Sequence, residues 1–510
     1  MSVGSSQEWQ RAAPRSRAQA LHGWVERHSA IAILAFSAVY FGGTIQRAAG
    51  RPFWFDEILT LVAAQQPSVS ATIRAARTFD AMPPLTHVTA HFMVRWFGAS
   101  EIALRLPGMV GFWVFCLCLY RFVSRRAGVL FGLVAMVLPF ATASYGYSFE
   151  ARCYGMLLGF GGIALVGWQE VADGNRRWAG LTGIAAGTAG VLLCHYFGLL
   201  IYLPLGGAEA FRSWQRRRID WGTWVALAVG LIPLFAALPA IRSAAGSNAH
   251  PWATAHLLSF MDYYEGEFTH ALVFLAAALV LGVAAVAVER GHKANESARV
   301  ETPLYELVAV ALFLVIPVAA IGLALCVRPH LFVDRYAVLS IAGFASLTAL
   351  LAARAVSGRP LAAFAVALAA LIPFAGELAQ ARRLRNPLDA QPVLRAALEN
   401  GSVAITDGVA FLQLWYYAPE PLKKRMLYVG DVPSAVRYLH VDTVDLNLSK
   451  LAAVDPAVPV IPYENFAAYR PLPVLFVDSN PGWLPARLID SGKRLTVTHW
   501  TSEGELVDVQ

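Results

Sequence analysis

The sequence predicts a mainly α-helical, polytopic membrane protein with a small C-terminal α/β domain, and three observations predict it. Of the 510 residues, 57% are hydrophobic and only 15% charged, with mean hydropathy +0.51, whereas soluble proteins carry about 25% charged residues. The apolar residues come in long runs separated by short Arg-rich breaks. Past residue 380 the texture changes to short alternating runs between Pro- and Gly-bearing turns. A soluble globular fold is thereby ruled out. The net charge of +7 resides in the breaks, where basic residues set orientation, so no nucleic-acid partner is expected.

The elements follow in order. Residues 1–28 are a polar, Arg-bearing tail, and the run near 29–47 leads straight into Arg47 and Arg51 without a small-residue cleavage pattern. That run reads as a retained signal anchor. A helix needs about 20 apolar residues to cross, and by that ruler further spans fall near 103–123, 128–146, 151–171, 178–194, 196–211, 221–241, 271–289, 304–327, 335–353 and 360–378, about eleven in all. Pro84 to Phe97 is too short to cross and carries His87, His91 and Arg95, so it reads as an interfacial helix. Gly155, Gly159, Gly183 and Gly187 recur at small-xxx-small spacing, which suits close helix packing. The five cysteines, Cys116, Cys118, Cys153, Cys194 and Cys326, lie in or beside apolar runs and fit neither a zinc site nor a disulfide framework.

With a cytoplasmic N-terminus, most basic residues of the short breaks fall on the cytoplasmic side, at Arg121–Arg126, Arg176–Arg177, Arg212–Arg218, Arg290–Arg299 and Arg354–Arg359. The opposite short breaks hold only Arg152, Arg242, Arg328 and Arg335. The expected organisation is therefore a cytoplasmic tail, 1–28, a transmembrane region, 29–379, with a long first outer loop, 48–102, and an outer, periplasmic α/β domain, 380–510. Its β-like runs are Val403–Thr406, Met426–Val429, Val474–Asp478 and Leu495–His499. No internal repeat stands out.

Scarce charges gather on the outer face. In Arg51-Pro-Phe-Trp-Phe-Asp-Glu, adjacent carboxylates Asp56 and Glu57 lie among aromatics, where a carboxylate becomes a better proton acceptor. The same residues read equally well as an interfacial turn with a solvated acidic pair. Tyr145-Gly-Tyr-Ser-Phe-Glu-Ala-Arg-Cys-Tyr places Glu150 and Arg152 at the outer end of a span, as a functional pair or a capping salt bridge. Arg335 and Tyr336 open a later span, where the arginine could meet a lipid phosphate or snorkel to headgroups. His87 and His91 have metal-ligand spacing, but the glutamate of the zinc-protease pattern is absent, and packing of polar neighbours is the better reading. The run Asp262, Glu265, Glu267 and His270 with Tyr263 and Tyr264 reads as a solvated loop, with a sugar or cation clasp as its alternative.

Taken together, Phe55-Asp56-Glu57, Pro83-Pro84-Leu85, Glu101-Ile-Ala-Leu-Arg-Leu-Pro107, Phe149-Glu150-Ala-Arg152-Cys-Tyr154, His195-Tyr196 and Arg335-Tyr336 form an ordered series over about residues 29–378. The series resembles the bacterial relatives of the protein O-mannosyltransferases and lipid A aminoarabinose transferases, the GT-C class of polyprenyl-phosphate-sugar-dependent glycosyltransferases. The resemblance implies a GT-C fold and an inverting transfer of one sugar from a lipid-phosphate donor to an acceptor hydroxyl on a protein, glycan or lipid, at the outer face of the cell inner membrane. It makes Asp56 the candidate base with Glu57 its orienting neighbour. It makes Glu150, Arg152, Tyr154, His195, Arg335 and Tyr336 candidates for substrate binding, with Arg335 toward the donor phosphate. Glu150 departs from members that place an Asp-containing metal pair there. No cofactor is required, no metal ligand set is assigned, and a divalent cation on Asp56, Glu150 and the acidic loop is left open. Such a donor brings its own leaving group, so no nucleotide cradle is needed, and the sequence carries no P-loop or Rossmann fingerprint. The alternative is a transporter or flippase of lipid-linked sugars, which should show charges near the membrane midplane and repeated halves.

Overall fold

The computed structural model describes residues 23–510 except 80–81, 239–249, 251, 289–300, 327–331, 358, 380–385 and 503. Helices dominate. The first part runs α1 (Ser29–Ala49), α2 (Phe55–Ala64), α3 (Val69–Phe79), α4 (Leu85–Phe97), α5 (Glu101–Val137), α6 (Tyr154–Ala172), α7 (Arg177–Cys194), α8 (Tyr202–Arg216), α9 (Trp221–Gly230), α10 (Ser259–Phe268), α11 (Ala271–Val288), α12 (Leu304–Cys326), α13 (Ser340–Ala355) and α14 (Pro360–Ala379). Among the described residues, seven helices are long and apolar enough to cross a membrane, which makes the chain a multi-pass membrane protein. Helix occupies each of the expected apolar runs at least in part. The shortfall from about eleven lies in elements such as α7, rich in Gly and Thr, and α13, which is only 16 residues long.

Two local rules place the end of the bundle that meets the C-terminal sheet. Ser100 caps α5 by accepting from the Ala103 amide at 3.2 Å, and Glu101 sits in the first turn where the helix dipole favours it. α5 then reverses at Gly128, whose φ of +80° is open to glycine, so that Gly132 comes back against Tyr120 and Ser124. The hairpin falls on the expected runs 103–123 and 128–146, its second leg α-helical only to Val137. The returning leg continues as 3-10 turns, Leu138–Ala141 and Ala143–Phe149, and delivers Glu150 and Arg152 to the start of α6. There the backbones of α5 and α6 touch: a Cβ on Gly155 would lie 2.3 Å from the Gly108 carbonyl oxygen, and one on Gly159 would lie 2.5 Å from that of Gly111.

The C-terminal part folds as one six-stranded sheet flanked by helices. Its strands are β1 (Val403–Ile405), β2 (Met426–Gly430), β3 (Val460–Pro462), β4 (Val474–Val477), β5 (Leu495–Thr501) and β6 (Gly504–Val509), in the order β3-β2-β1-β4-β6-β5. The pairs β1–β2, β1–β4 and β2–β3 are parallel, while β4–β6 and β5–β6 are antiparallel. Four strands lie on the expected runs; β3 and β6 were not expected. One face shares a continuous apolar core with the first loop, where Phe53, Phe55, Ile58 and Leu61 pack with Leu394, Leu398, Phe411 and Leu412. This shared core seats the sheet over the residues that carry the candidate chemistry.

Charge is divided between the two ends of the bundle. At one end Arg125, Arg126, Glu170, Asp173 and Glu306 interlock, as do Arg177, Arg212, Glu209 and Asp220. The arginines among them come from the breaks expected on the cytoplasmic side. At the other end lie Arg51, Asp56, Glu150, Arg152 and Arg335.

Candidate active site

The site is built on an irregular strap, Arg51–Trp54, that would collapse without outside support because it makes no regular structure of its own. Arg105, wholly buried on α5, supplies much of it: its guanidinium donates to the carbonyls of Ala48 and Arg51 at 2.6 Å each and of Pro52 at 3.1 Å. The same guanidinium grips Glu57 in a two-pronged pair, 2.8 Å to Oε1 and 2.6 Å to Oε2. Glu57 also accepts from the amides of Ala151 at 2.7 Å and Trp54 at 3.3 Å, so it closes the N-terminus of α2 and ties it to the start of α6.

This framework holds Asp56 in the first turn of α2, facing two cations. Its Oδ2 lies 3.6 Å from Arg152 and 3.5 Å from Arg335, with all three side chains between 10% and 20% exposed. The spacing is looser than a tight ion pair. The three groups, one carboxylate and two guanidinium groups, together carry one net positive charge. Arg335 is boxed by the rings of Trp54, Tyr154 and Trp252 at 5.8–5.9 Å, which covers its faces and leaves the N–H edges for an anion. Beside it runs an aromatic shelf: Tyr336 lies 4.5 Å from His195, and His195 lies 5.9 Å from Tyr154. His195 is oriented by its Nδ1, which accepts from the Phe197 amide at 3.0 Å.

Glu150 binds Arg51 at 3.0 Å, and burial raises its carboxyl above the ordinary carboxylate range against the pull of that arginine. The structure thus brings together Asp56, Arg152, Tyr154, His195, Arg335 and Tyr336, with Glu150 one ion pair away. Glu57, expected as the orienting neighbour of Asp56, is 0% exposed and held by Arg105. His91 also has a packing role, its Nδ1 donating to the Ala64 carbonyl at 2.9 Å. Arg242, Arg290, Lys293, Arg299 and Arg328 lie outside the described residues, as does most of the tail 1–28. Arg105 carries no role in the expected site, although an arginine inside an apolar span is itself a signal.

No protein-family model matches the chain, and no curated protein is similar to it at a significant level. Its architecture is matched by the crystal structure of ArnT from Cupriavidus metallidurans bound to undecaprenyl phosphate, at 12% identity and TM-score 0.53 over 96% of this chain and 98% of that one. The chain has the GT-C fold. The apo state of the same ArnT gives 14% identity and TM-score 0.49, again over 96% and 98%. Arabinosyltransferase EmbB from Mycobacterium smegmatis gives 15% and 0.36, over 92% of this chain and 45% of that one.

Within this GT-C bundle a second carboxyl is held close to neutrality. Glu267 on α10 accepts from the Ser144 amide at 2.9 Å and is pushed up to about 7 by burial, with Asp334 adding to the shift. The native state keeps this proton at pH values where the unfolded chain, near 4.5, has lost it. Its contribution is therefore full below about pH 4.5 and is lost as pH rises through about 7. Glu267→Gln is expected to flatten the fall in thermal stability between about pH 5 and 8; an unchanged slope in pH-dependent melting would contradict the assignment.

Proposed function

We propose that the protein is a glycosyltransferase that moves one sugar, with inversion, from a polyprenyl-phosphate donor to an acceptor hydroxyl at the outer face of the inner membrane. The observation that carries this reading is the placing of Asp56 between Arg152 and Arg335 at one end of a GT-C bundle. That the ArnT crystal structure of the same fold is bound to undecaprenyl phosphate supports the choice of donor. Asp56 takes the proton of the acceptor hydroxyl as that oxygen attacks the anomeric carbon. The bond from that carbon to the phosphate oxygen breaks, and the electron pair leaves with the lipid phosphate.

The charges support this division of labour. The bound donor diester neutralises the excess positive charge of one carboxylate and two guanidinium groups. After transfer the phosphate monoester carries about one further negative charge, while protonation of Asp56 removes one. The site stays balanced, so the arginines stabilise charge where it develops rather than where it starts. Tyr336 offers aromatic surface to the sugar or the first prenyl unit, backed by the buried rings of His195 and Tyr154. The acceptor is a glycan, lipid or protein hydroxyl.

Arg152→Gln and Arg335→Gln should each weaken binding of polyprenyl phosphate by roughly 10–100-fold, the worth of one lost charge-assisted contact. Competition against a labelled polyprenyl phosphate in detergent reads this directly. Wild-type affinity in both variants would remove the phosphate from this position.

A further inference from the structure

The strap before Asp56 is held from two sides, and only one of them is the helical bundle. The other is the helix α15 (Gly408–Tyr417) of the C-terminal sheet region, four hundred residues along the chain. Its first turn is capped by Asp407, whose Oδ1 accepts from the Val409 amide at 2.8 Å, and Phe411, Leu412 and Leu414 bury one face. The remaining face presents Gln413 and Tyr417, four residues apart and therefore in line. Gln413 Nε2 donates to the Phe53 carbonyl at 2.7 Å, and the Tyr417 hydroxyl accepts from the Phe53 amide at 2.7 Å. The same hydroxyl donates to Glu101 at 2.6 Å, at the first residue of α5. Tyr416 meets the Phe53 ring edge-on at 6.0 Å, with Arg105 over that ring at 5.2 Å. Asn386 pins the end of the helix by donating to the Tyr417 carbonyl at 2.9 Å.

We propose that Gln413 and Tyr417 are positioning residues for Asp56, so that the C-terminal region sets the geometry of the catalytic strap rather than merely covering it. This rests on the reading of Asp56 as the base. Both backbone polar groups of Phe53 are bound by this one helix, while its neighbours Arg51, Pro52 and Trp54 are bound by Arg105 and Glu57. Phe53 lies two residues before the start of α2 and three before Asp56, and the one residue between it and the helix, Trp54, is tied to the first turn: its carbonyl accepts from the Glu57 and Ile58 amides at 2.9 and 3.0 Å. A shift at Phe53 therefore reaches the turn that carries the carboxylate. The triangle Phe53–Tyr417–Glu101 also joins three bodies, the strap, the sheet region and the hairpin α5, at one hydroxyl. Displacement by about 1 Å is enough to cost a well-placed base some 100-fold.

The test uses the full chain with Tyr417→Phe, which keeps the ring and loses only the hydroxyl, and Gln413→Glu, which keeps the shape and loses the donor. Steady-state transfer should show kcat lower by about 10–100-fold with KM for the lipid-linked sugar within about twofold. Amide exchange should rise in the peptide covering Arg51–Glu57 and stay unchanged in β1, β2 and β4. Wild-type kcat in both variants would overturn the proposal. So would faster exchange spread evenly over the sheet without an excess at Arg51–Glu57, because that is loss of fold and not of position. Asp56→Asn, measured in parallel, separates this inference from the reading it rests on. If that variant turns over normally, Asp56 is not the base, whatever the strap does.

Discussion

Asn at position 56 is expected to lower kcat for sugar transfer by roughly 10²–10⁴-fold, the usual worth of a positioned general base. The change is isosteric, so the two arginines and the aromatic box around Arg335 keep their places. Asp56 sits in the first turn of α2 with its carboxylate 20% exposed and its ion pairs at 3.5–3.6 Å, so little stability depends on it. Affinity for polyprenyl phosphate should therefore be kept or slightly raised, since a negative charge beside the phosphate is gone. A fall in kcat with unaltered lipid binding separates a base from a binding residue. Wild-type turnover by folded Asp56→Asn protein would remove the base from this position.

The second large effect concerns stability. Arg105 and Glu57 are each 0% exposed and satisfy each other as well as the strap carbonyls and the Ala151 and Trp54 amides. Arg105→Met leaves the Glu57 carboxylate buried beside those carbonyls without its cation, and such single removals cost about 3–5 kcal/mol. Glu57→Gln should be milder, because the amide oxygen still accepts from the backbone amides. In the double variant the two costs should add to less than their sum, the sign of a direct pair. Thermal unfolding of the detergent-solubilised protein measures all three. A loss of under about 1 kcal/mol for Arg105→Met would mean that the pair is not the keystone of the strap.

How far the sequence carries depends on the physics of each signal. Long apolar runs are read residue by residue, so the helices on them were legible, whereas the number that crosses was not: among the described residues seven helices are long and apolar enough, against about eleven expected. β3 is three residues ending in Pro462, and β6 carries Glu505 and Asp508 among its apolar positions, so neither rises above the turns around it. Asp56, Arg152 and Arg335 stood out because a charge at the end of an apolar run is costly and seldom idle. That Glu57 is wholly buried against Arg105 was not legible. Neighbours on a helix project about 100° apart, so Asp56 meets two arginines while Glu57 turns to one that lies 48 residues away. Gln413 and Tyr417 gave no signal, because their partner Phe53 is 360 and 364 residues distant and nothing local marks a helix face that docks.

The central claim is that this chain breaks the bond between a sugar and a lipid phosphate. Purified protein, a polyprenyl-phosphate sugar and detergent-extracted membranes as the source of acceptor hydroxyls, followed by mass spectrometry, test it most directly. The account predicts loss of the donor, an equal amount of free polyprenyl phosphate, and an acceptor heavier by one sugar, none of which Asp56→Asn produces. Recovery of the donor intact, together with its movement across sealed vesicles that contain the protein, would contradict the account and make the chain a carrier of lipid-linked sugar.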